Sequence, residues 1–397
     1  MNMSESGARQ SRIRGVLRPA LVIASLACSM TLGCASKSGG SADDFALKPS
    51  ADGGYVVNRR YETISTRDTW TVDGDAVDVT LLVPAPSGAY PLVLYLPGLG
   101  ELSDAGLSWR QAWARAGYAV LSVQPTNFGP AVWTSNRARA GDFFNIAHDA
   151  FSVPSLAART QIVRGALEQV SRRQHDARGT AFAQIDLTRI AVAGFDLGAQ
   201  TALMVAGMRV PGVEPLHLPD GVKGVMVLSP YADASEVESK FQPIQLPVLS
   251  VTSRLDTDAY GLIGTASIRR VPFQYMPPGQ KYLLLLASAP HAELAGTRPN
   301  SSRDGKDTED DIAAEDDKIL GDETAEVYEG ERKKRRKPDY SASRAEKLAQ
   351  LVRMQRQVQA VTTAYLDAVI RNDAAGAGWL SKNAKAWLGD SGELLSK

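Results

Sequence analysis

From Tyr90 onward the chain alternates between two hydrophobic patterns. Near-continuous apolar runs recur at "YPLVLYLPG" (90–98), "AGYAVLSVQP" (116–125), "RIAVAGF" (189–195), "VKGVMVLSP" (222–230), "LPVLSVTS" (246–253) and "KYLLLLAS" (281–288). A strand covered on both faces needs no polar alternation, so these runs predict a parallel sheet between two helical layers. Helical segments are predicted between them, at Leu107–Ala116, Ser155–Arg172, Ala199–Gly207 and 260–270. Strand and helix in regular alternation predict an α/β chain with a mostly parallel, doubly wound sheet. Ahead of it, Tyr55 to Val83 reads as two or three antiparallel strands. There Val77, Val79 and Leu81 alternate with Asp78 and Thr80, the pattern of a half-buried edge.

The alternation stops near the end. Residues 296–342 carry an acidic half and then a basic cluster, Arg332 to Lys337, with few core formers. They are expected to be a disordered charged insertion. The cluster has two readings: a site for acidic lipid headgroups, or a solvated run that pairs with its own acidic half. A helix is predicted over 343–371, because Leu348, Leu351, Val352, Val358, Val361, Tyr365, Leu366 and Val369 repeat at spacings of three and four. A short helix is expected around Trp379–Leu388. The expected layout is therefore a core over 51–295, the insertion over 296–342, and C-terminal helices over 343–397 that pack back on the core.

The N-terminus reads as a targeting segment. Arg9, Arg12, Arg14 and Arg18 precede the apolar run "ALVIASLACSMTLGC", which is short for a membrane span. It ends in Gly33-Cys34, which resembles the lipobox of bacterial lipoproteins. Residues 1–33 are then a signal peptide, Cys34 is the lipidated first residue and 34–50 is a Ser/Gly-rich tether. Cys28 is the alternative lipidation site. Ala35 after the cysteine resembles the default for the outer membrane, so a lipid-anchored protein of the bacterial cell envelope, facing the periplasm, is expected. Only Cys28 and Cys34 occur, so cleavage before Cys34 leaves no internal disulfide.

Composition narrows the partners. The formal net charge is +0, so no global field favours nucleic acid. No metal and no cofactor are assigned: four scattered histidines have no ligand spacing, and no phosphate loop or dinucleotide fingerprint occurs.

Four features carry the candidate chemistry. The strand "LVLYLPGLGEL" ends in a Gly-rich loop that can aim backbone N–H groups, Leu99 among them, at the carboxyl edge of the sheet. With the N–H of Leu197 it would form an oxyanion hole. "RIAVAGFDLGAQTALMVAG" is a strand, a tight turn and a helix, with Gly194 and Gly198 flanking Asp196. Asp256, with Asp258 as competitor, follows a buried strand where an acid orienting a histidine would sit. His291 follows the last core strand. Nucleophile, acid and histidine come in that order in one known fold.

Over about 90–295 and 343–381 these stretches resemble the α/β-hydrolases of the dienelactone hydrolase, platelet-activating-factor acetylhydrolase and chlorophyllase-like group. The resembling stretches include "PLVLYLPGLGE", "DLTRIAVAGFDLGAQTAL", "LPVLSVTSRLDTDAYG" and "KYLLLLASAPH". The resemblance implies an α/β-hydrolase fold and ester-like hydrolysis of small or lipidic substrates by a nucleophile, an acid and a base. Position by position these are Asp196, Asp256 and His291. The chain departs from the group twice: Pro97 stands where a histidine is common, and Asp196 where Ser or Cys is usual.

A carboxylate attacking an ester carbonyl would give a costly mixed anhydride. At a saturated carbon it gives an alkyl ester, which water activated by His291 can hydrolyse, as in haloalkane dehalogenases and epoxide hydrolases. Those enzymes use a helical cap, and dehalogenases carry a Trp after the nucleophile, where this chain has Leu197. The connection between the strands at 222–230 and 246–253 is too short for a cap, so cap-like cover is expected only from 126–160, which contains Trp133. Three readings compete: an Asp-nucleophile hydrolase, a catalytically inactive homologue that binds a ligand or partner, and a tethered structural protein.

Overall fold

Nine strands hydrogen-bond into one sheet in the computed structural model, which describes residues 52–176, 180–216, 219–232, 236–258, 260–297 and 340–397. They are β1 (Thr63–Val72), β2 (Asp75–Pro84), β3 (Tyr90–Leu96), β4 (Ala119–Pro125), β5 (Ile185–Phe195), β6 (Val222–Leu228), β7 (Val248–Ser253), β8 (Lys281–Leu286) and β9 (Gly392–Ser396). Their spatial order is β1-β2-β4-β3-β5-β6-β7-β8-β9. From β4 through β8 every neighbouring pair is parallel. The flanking strands β1, β2 and β9 are antiparallel. The parallel strands are the continuous apolar runs, as their burial on both faces requires. β1 is exposed along most of its length, as an edge strand is.

Helices cover both faces. One core lies under the helices Val153–Asp176 and Leu197–Val205 and includes Ile162, Val163, Ala202 and Leu203. The other lies under Leu107–Arg115, Tyr340–Ile370 and Ala374–Lys382 and includes Trp109, Trp113, Val361 and Leu366. The chain turns to β4 on one side of β3 and to β5 on the other. That reversal opens a crevice at the carboxyl ends of β3 and β5, the usual place for a ligand in an open α/β sheet.

The sequence expectations need three corrections. The segment 260–270 is not a helix: it is irregular up to Thr265, then forms a 3₁₀ turn at Ala266–Arg270 and a helix at Val271–Tyr275. The Asp258 carboxylate accepts the N–H groups of Tyr260, Leu262 and Ile263, which satisfies that backbone without helical bonds. The C-terminal region is not helical throughout, because β9 pairs with β8 and closes that edge. In the long helix, Val358, Val361, Tyr365 and Leu366 are buried, but Leu348 and Val352 are 60% and 55% exposed. Periodicity continues along the helix past the point where the body beneath it buries residues. The signal segment, Cys28, Cys34, the tether, His217 and insertion residues 298–339 lie outside the described residues.

Candidate functional site

The turn after β5 puts Asp196 into a backbone conformation that a non-glycine residue rarely holds, φ 51° and ψ −115°. Such a residue costs about 1–3 kcal/mol and persists where its surroundings enforce it. The enforcement here is close packing. A Cβ on Gly198 would lie 1.8 Å from the Leu96 carbonyl oxygen, and one on Gly194 would lie 2.2 Å from the Gly198 carbonyl oxygen. The helix Leu197–Val205 therefore starts directly against the end of β3. The Asp196 N–H donates to the Leu228 carbonyl at 3.0 Å, which ties the turn to β6.

The Asp196 carboxylate has two different neighbours. Oδ2 accepts a long hydrogen bond, 3.4 Å, from the Leu99 N–H. Oδ1 lies 3.8 Å from Nε2 of His291. That separation is too long for a direct hydrogen bond. Leu197, the first residue of its helix, has an N–H without an intrahelical acceptor.

His291 follows β8 on the short helix His291–Leu294, with its ring 4.8 Å from that of Phe195. Nδ1 is 2.8 Å from Oδ1 of Asp256. A carboxylate only accepts, so Nδ1 donates in this bond, and Nε2 is the nitrogen that faces Asp196. Asp256 is fully buried, and its Oδ2 accepts from the Thr252 hydroxyl at 2.7 Å. Burial alone would push its carboxyl up. The hydrogen bond with His291 and the charge of Arg269 outweigh that and hold it below the ordinary value. The competition between Asp256 and Asp258 is thus resolved: Asp256 meets His291, and Asp258 caps its own loop.

Arg269 is a site residue without a sequence signal. It is buried, its Nε lies 3.0 Å from Oδ1 of Asp256 and donates to the Asp256 carbonyl at 2.9 Å, and its Nη1 donates to the Ser229 carbonyl at 2.6 Å. A buried carboxylate without such a partner would favour its neutral form.

The Gly-rich loop is held from below. The buried Gln124 amide donates to the carbonyls of Gly98, Glu101 and Phe128 at 2.9, 2.9 and 3.2 Å. The Gly100 N–H donates to the Phe128 carbonyl at 2.8 Å. Beneath them the buried Arg159 donates to the Thr201 hydroxyl at 3.0 Å and to the Pro97 carbonyl at 3.4 Å. Burial lowers its guanidinium to about 10, and Asp196 opposes that shift. Glu101 belongs to this loop too. Its carboxylate accepts the Gly98 N–H at 2.8 Å and the Thr297 hydroxyl at 3.1 Å. Desolvation, with a smaller contribution from the charge of Asp196, raises its carboxyl to about 7.

Trp133 covers the loop. Its indole fills the space a side chain at Gly100 would need, and it stacks on Tyr260 at 5.2 Å and 20°. Phe143 packs on its other side at 6.2 Å. Burial and the nearby charges of Asp196 and Glu101 push the Tyr260 hydroxyl up. The segment 126–160 thus supplies an aromatic cover, small in size.

The chain matches no protein-family model and no curated protein.

Three side chains singled out from the sequence, Asp196, Asp256 and His291, meet at one point, with the Leu99 N–H beside them and Leu197 next in the chain. Gln124, Arg159, Glu101 and Arg269 were not foreseen. Only Glu101 left a trace, as a charge directly after the Gly-rich loop. Among the described residues no group of three or more His, Cys, Asp or Glu is placed to hold a metal ion, and no helix is long and apolar enough to cross a membrane.

Proposed function

We propose that the chain is an α/β-hydrolase-fold hydrolase in which Asp196 is the nucleophile, His291 the base and Asp256 the acid that orients it. The strand order and the placement of the turn after β5 support the fold. One observation carries the chemistry: the Asp196 carboxylate lies between an oxyanion-type N–H on Oδ2 and Nε2 of His291 on the Oδ1 side.

The best-fitting substrates are small or lipidic molecules with an electrophilic saturated carbon, such as an epoxide or alkyl halide. Oδ1 attacks that carbon and the leaving group departs with the bonding pair, giving an alkyl ester on Asp196. Water, losing its proton to Nε2 of His291, then attacks Cγ. The charge collects on Oδ2, opposite the N–H groups of Leu99 and Leu197. Collapse expels the alcohol with Oδ1, which takes the proton back from His291, and leaves the water oxygen in Asp196; the remaining water proton leaves that carboxyl for an epoxide's alkoxide or, with a halide, for solvent, restoring the carboxylate. Exposed Leu102, Phe143, Phe144 and Leu255, in the segments that carry Glu101, Trp133 and Asp256, favour an apolar substrate.

A single turnover in ¹⁸O-water tests the route. The label is expected in the peptide containing Asp196. Label only in the product alcohol would contradict it, because that outcome means water attacks the substrate directly.

The second reading is an inactive homologue that binds a ligand or partner. Leu197, buried where dehalogenases have a donor Trp, and the small cover favour it. Asp196→Ser distinguishes the two. Esterase activity in that variant is expected where the oxyanion groups and the Asp256–His291 pair are competent. Its absence, with no turnover by the parent, favours the second reading. In both readings we propose a lipid anchor at Cys34 in the bacterial cell envelope, at the outer membrane facing the periplasm. Palmitate labelling that persists in Cys34→Ser would overturn the anchor.

A further inference from the structure

A second concave site lies on the sheet's other helical face. A groove of ≈ 240 Å³ opens between the incoming segment 54–60, the helix Leu107–Arg115 and the helix Tyr340–Ile370. Arg60, Arg115 and Arg356 line it, together with Gln111 and Gln355, and among the described residues no Asp or Glu does. Arg356 pairs with Asp52 and lies 5.9 Å over the Trp387 ring. Among the described residues Arg60 and Arg115 have no carboxylate partner. Asp52 balances Arg356, so Arg60 and Arg115 are the uncompensated cations beside the concavity, where an anion is favoured.

The groove is built rather than incidental. The Trp379 indole donates to the Gly53 carbonyl at 3.0 Å, and the Tyr55 hydroxyl donates to Asp367 at 2.7 Å, which fixes the incoming segment. The Gln359 amide holds the Ser108 carbonyl at 3.1 Å.

We infer that this groove binds a phosphate-bearing anion, as free phosphate or as a lipid headgroup. Guanidinium forks match phosphate oxygens in pairs, and the neutral Gln111 and Gln355 amides add donors without adding charge. The inference is independent of the chemistry at Asp196.

The test measures binding of labelled inorganic phosphate by equilibrium dialysis, and flotation with phosphatidylglycerol or phosphatidylcholine vesicles, using the full chain. The variant is Arg60→Gln with Arg115→Gln. The charge-matched control is Arg209→Gln with Lys223→Gln, both exposed and outside the groove. Loss of two charge-assisted partners is expected to weaken phosphate binding about tenfold or more, and the control is expected to leave it unchanged. A headgroup ligand additionally gives phosphatidylglycerol flotation that free phosphate competes away and phosphatidylcholine does not reproduce. A soluble ligand gives phosphate binding alone. No phosphate or vesicle binding, or equal loss in variant and control, would overturn the inference. Unchanged thermal midpoints without phosphate check that both doubles fold.

Discussion

Glu101 is the site carboxyl that burial shifts most clearly upward. Its carboxyl is raised from 4.5 to about 7, with desolvation first and Asp196 adding to it. The native state therefore holds this proton more tightly than the unfolded chain. Its contribution to stability is present below about 4.5 and is lost as pH rises through about 7. Asp256 has the opposite sign: its carboxyl is lowered, so its contribution is lost only as pH falls below the ordinary value of 3.8. The two windows do not overlap; the carboxyl of Glu293 is also raised by burial and acts in the same direction as Glu101, so the Glu101 share is the part of the slope that its replacement removes. Glu101→Gln is expected to flatten the fall in stability across that window in denaturant titrations. Parallel slopes in parent and variant would show that Glu101 ionises freely. Arg269 illustrates why such residues escape a linear reading. It lies 13 positions from Asp256, in a stretch expected to be helical, and acts only because the loop capped by Asp258 folds back.

At the scale of elements, the site depends on how closely one helix approaches one strand. Gly198→Ala places a methyl group 1.8 Å from a backbone oxygen that cannot move away as a side chain would. A loss of about 3 kcal/mol or more is expected, at the upper end for overpacking. Gly378→Ala is the matched control. It lies in the helix Ala374–Lys382 with nothing within 4 Å of its Cβ position, so a gain of about 0.5–1 kcal/mol is expected. Chemical denaturation of both variants checks the pair, and similar effects would mean the close approach is relaxed in solution. This close approach was legible in the sequence, because two glycines flank position 196 between an apolar strand and a helical run. The parallel strands were equally legible, since burial on both faces forces continuous apolar runs. β9 was not. Its five residues carry only Leu394 and Leu395 as strand formers, and its pairing with β8 is a contact distant in sequence. Helix periodicity located the face of Tyr340–Ile370 but not how much of it is covered.

At the scale of the molecule, β9 finishes a sheet that would otherwise expose the edge of β8. Lys397 exchanges backbone hydrogen bonds with Lys281 at 2.9 and 3.1 Å, and Leu283 to Leu286 lie beside Leu395 to Gly392. Removing 392–397 leaves an apolar strand with unpaired N–H and C=O groups. Concentration-dependent association is expected in light scattering, with a lower thermal midpoint. A truncated chain that stays monodisperse and equally stable would show that β9 protects nothing. The sheet's larger role is to bring residues 99, 196, 256 and 291 from four strand ends to one crevice. Whether that crevice performs covalent chemistry depends on a step that needs Asp196 but not His291, followed by one that needs both. The most direct measurement is intact-protein and peptide mass spectrometry of His291→Gln incubated with a panel of epoxides and alkyl halides. A stable alkyl adduct on the peptide carrying Asp196 is expected, because the ester forms but water is no longer activated. No adduct on that peptide in the variant, across a panel the parent hydrolyses, would contradict Asp196 as the nucleophile.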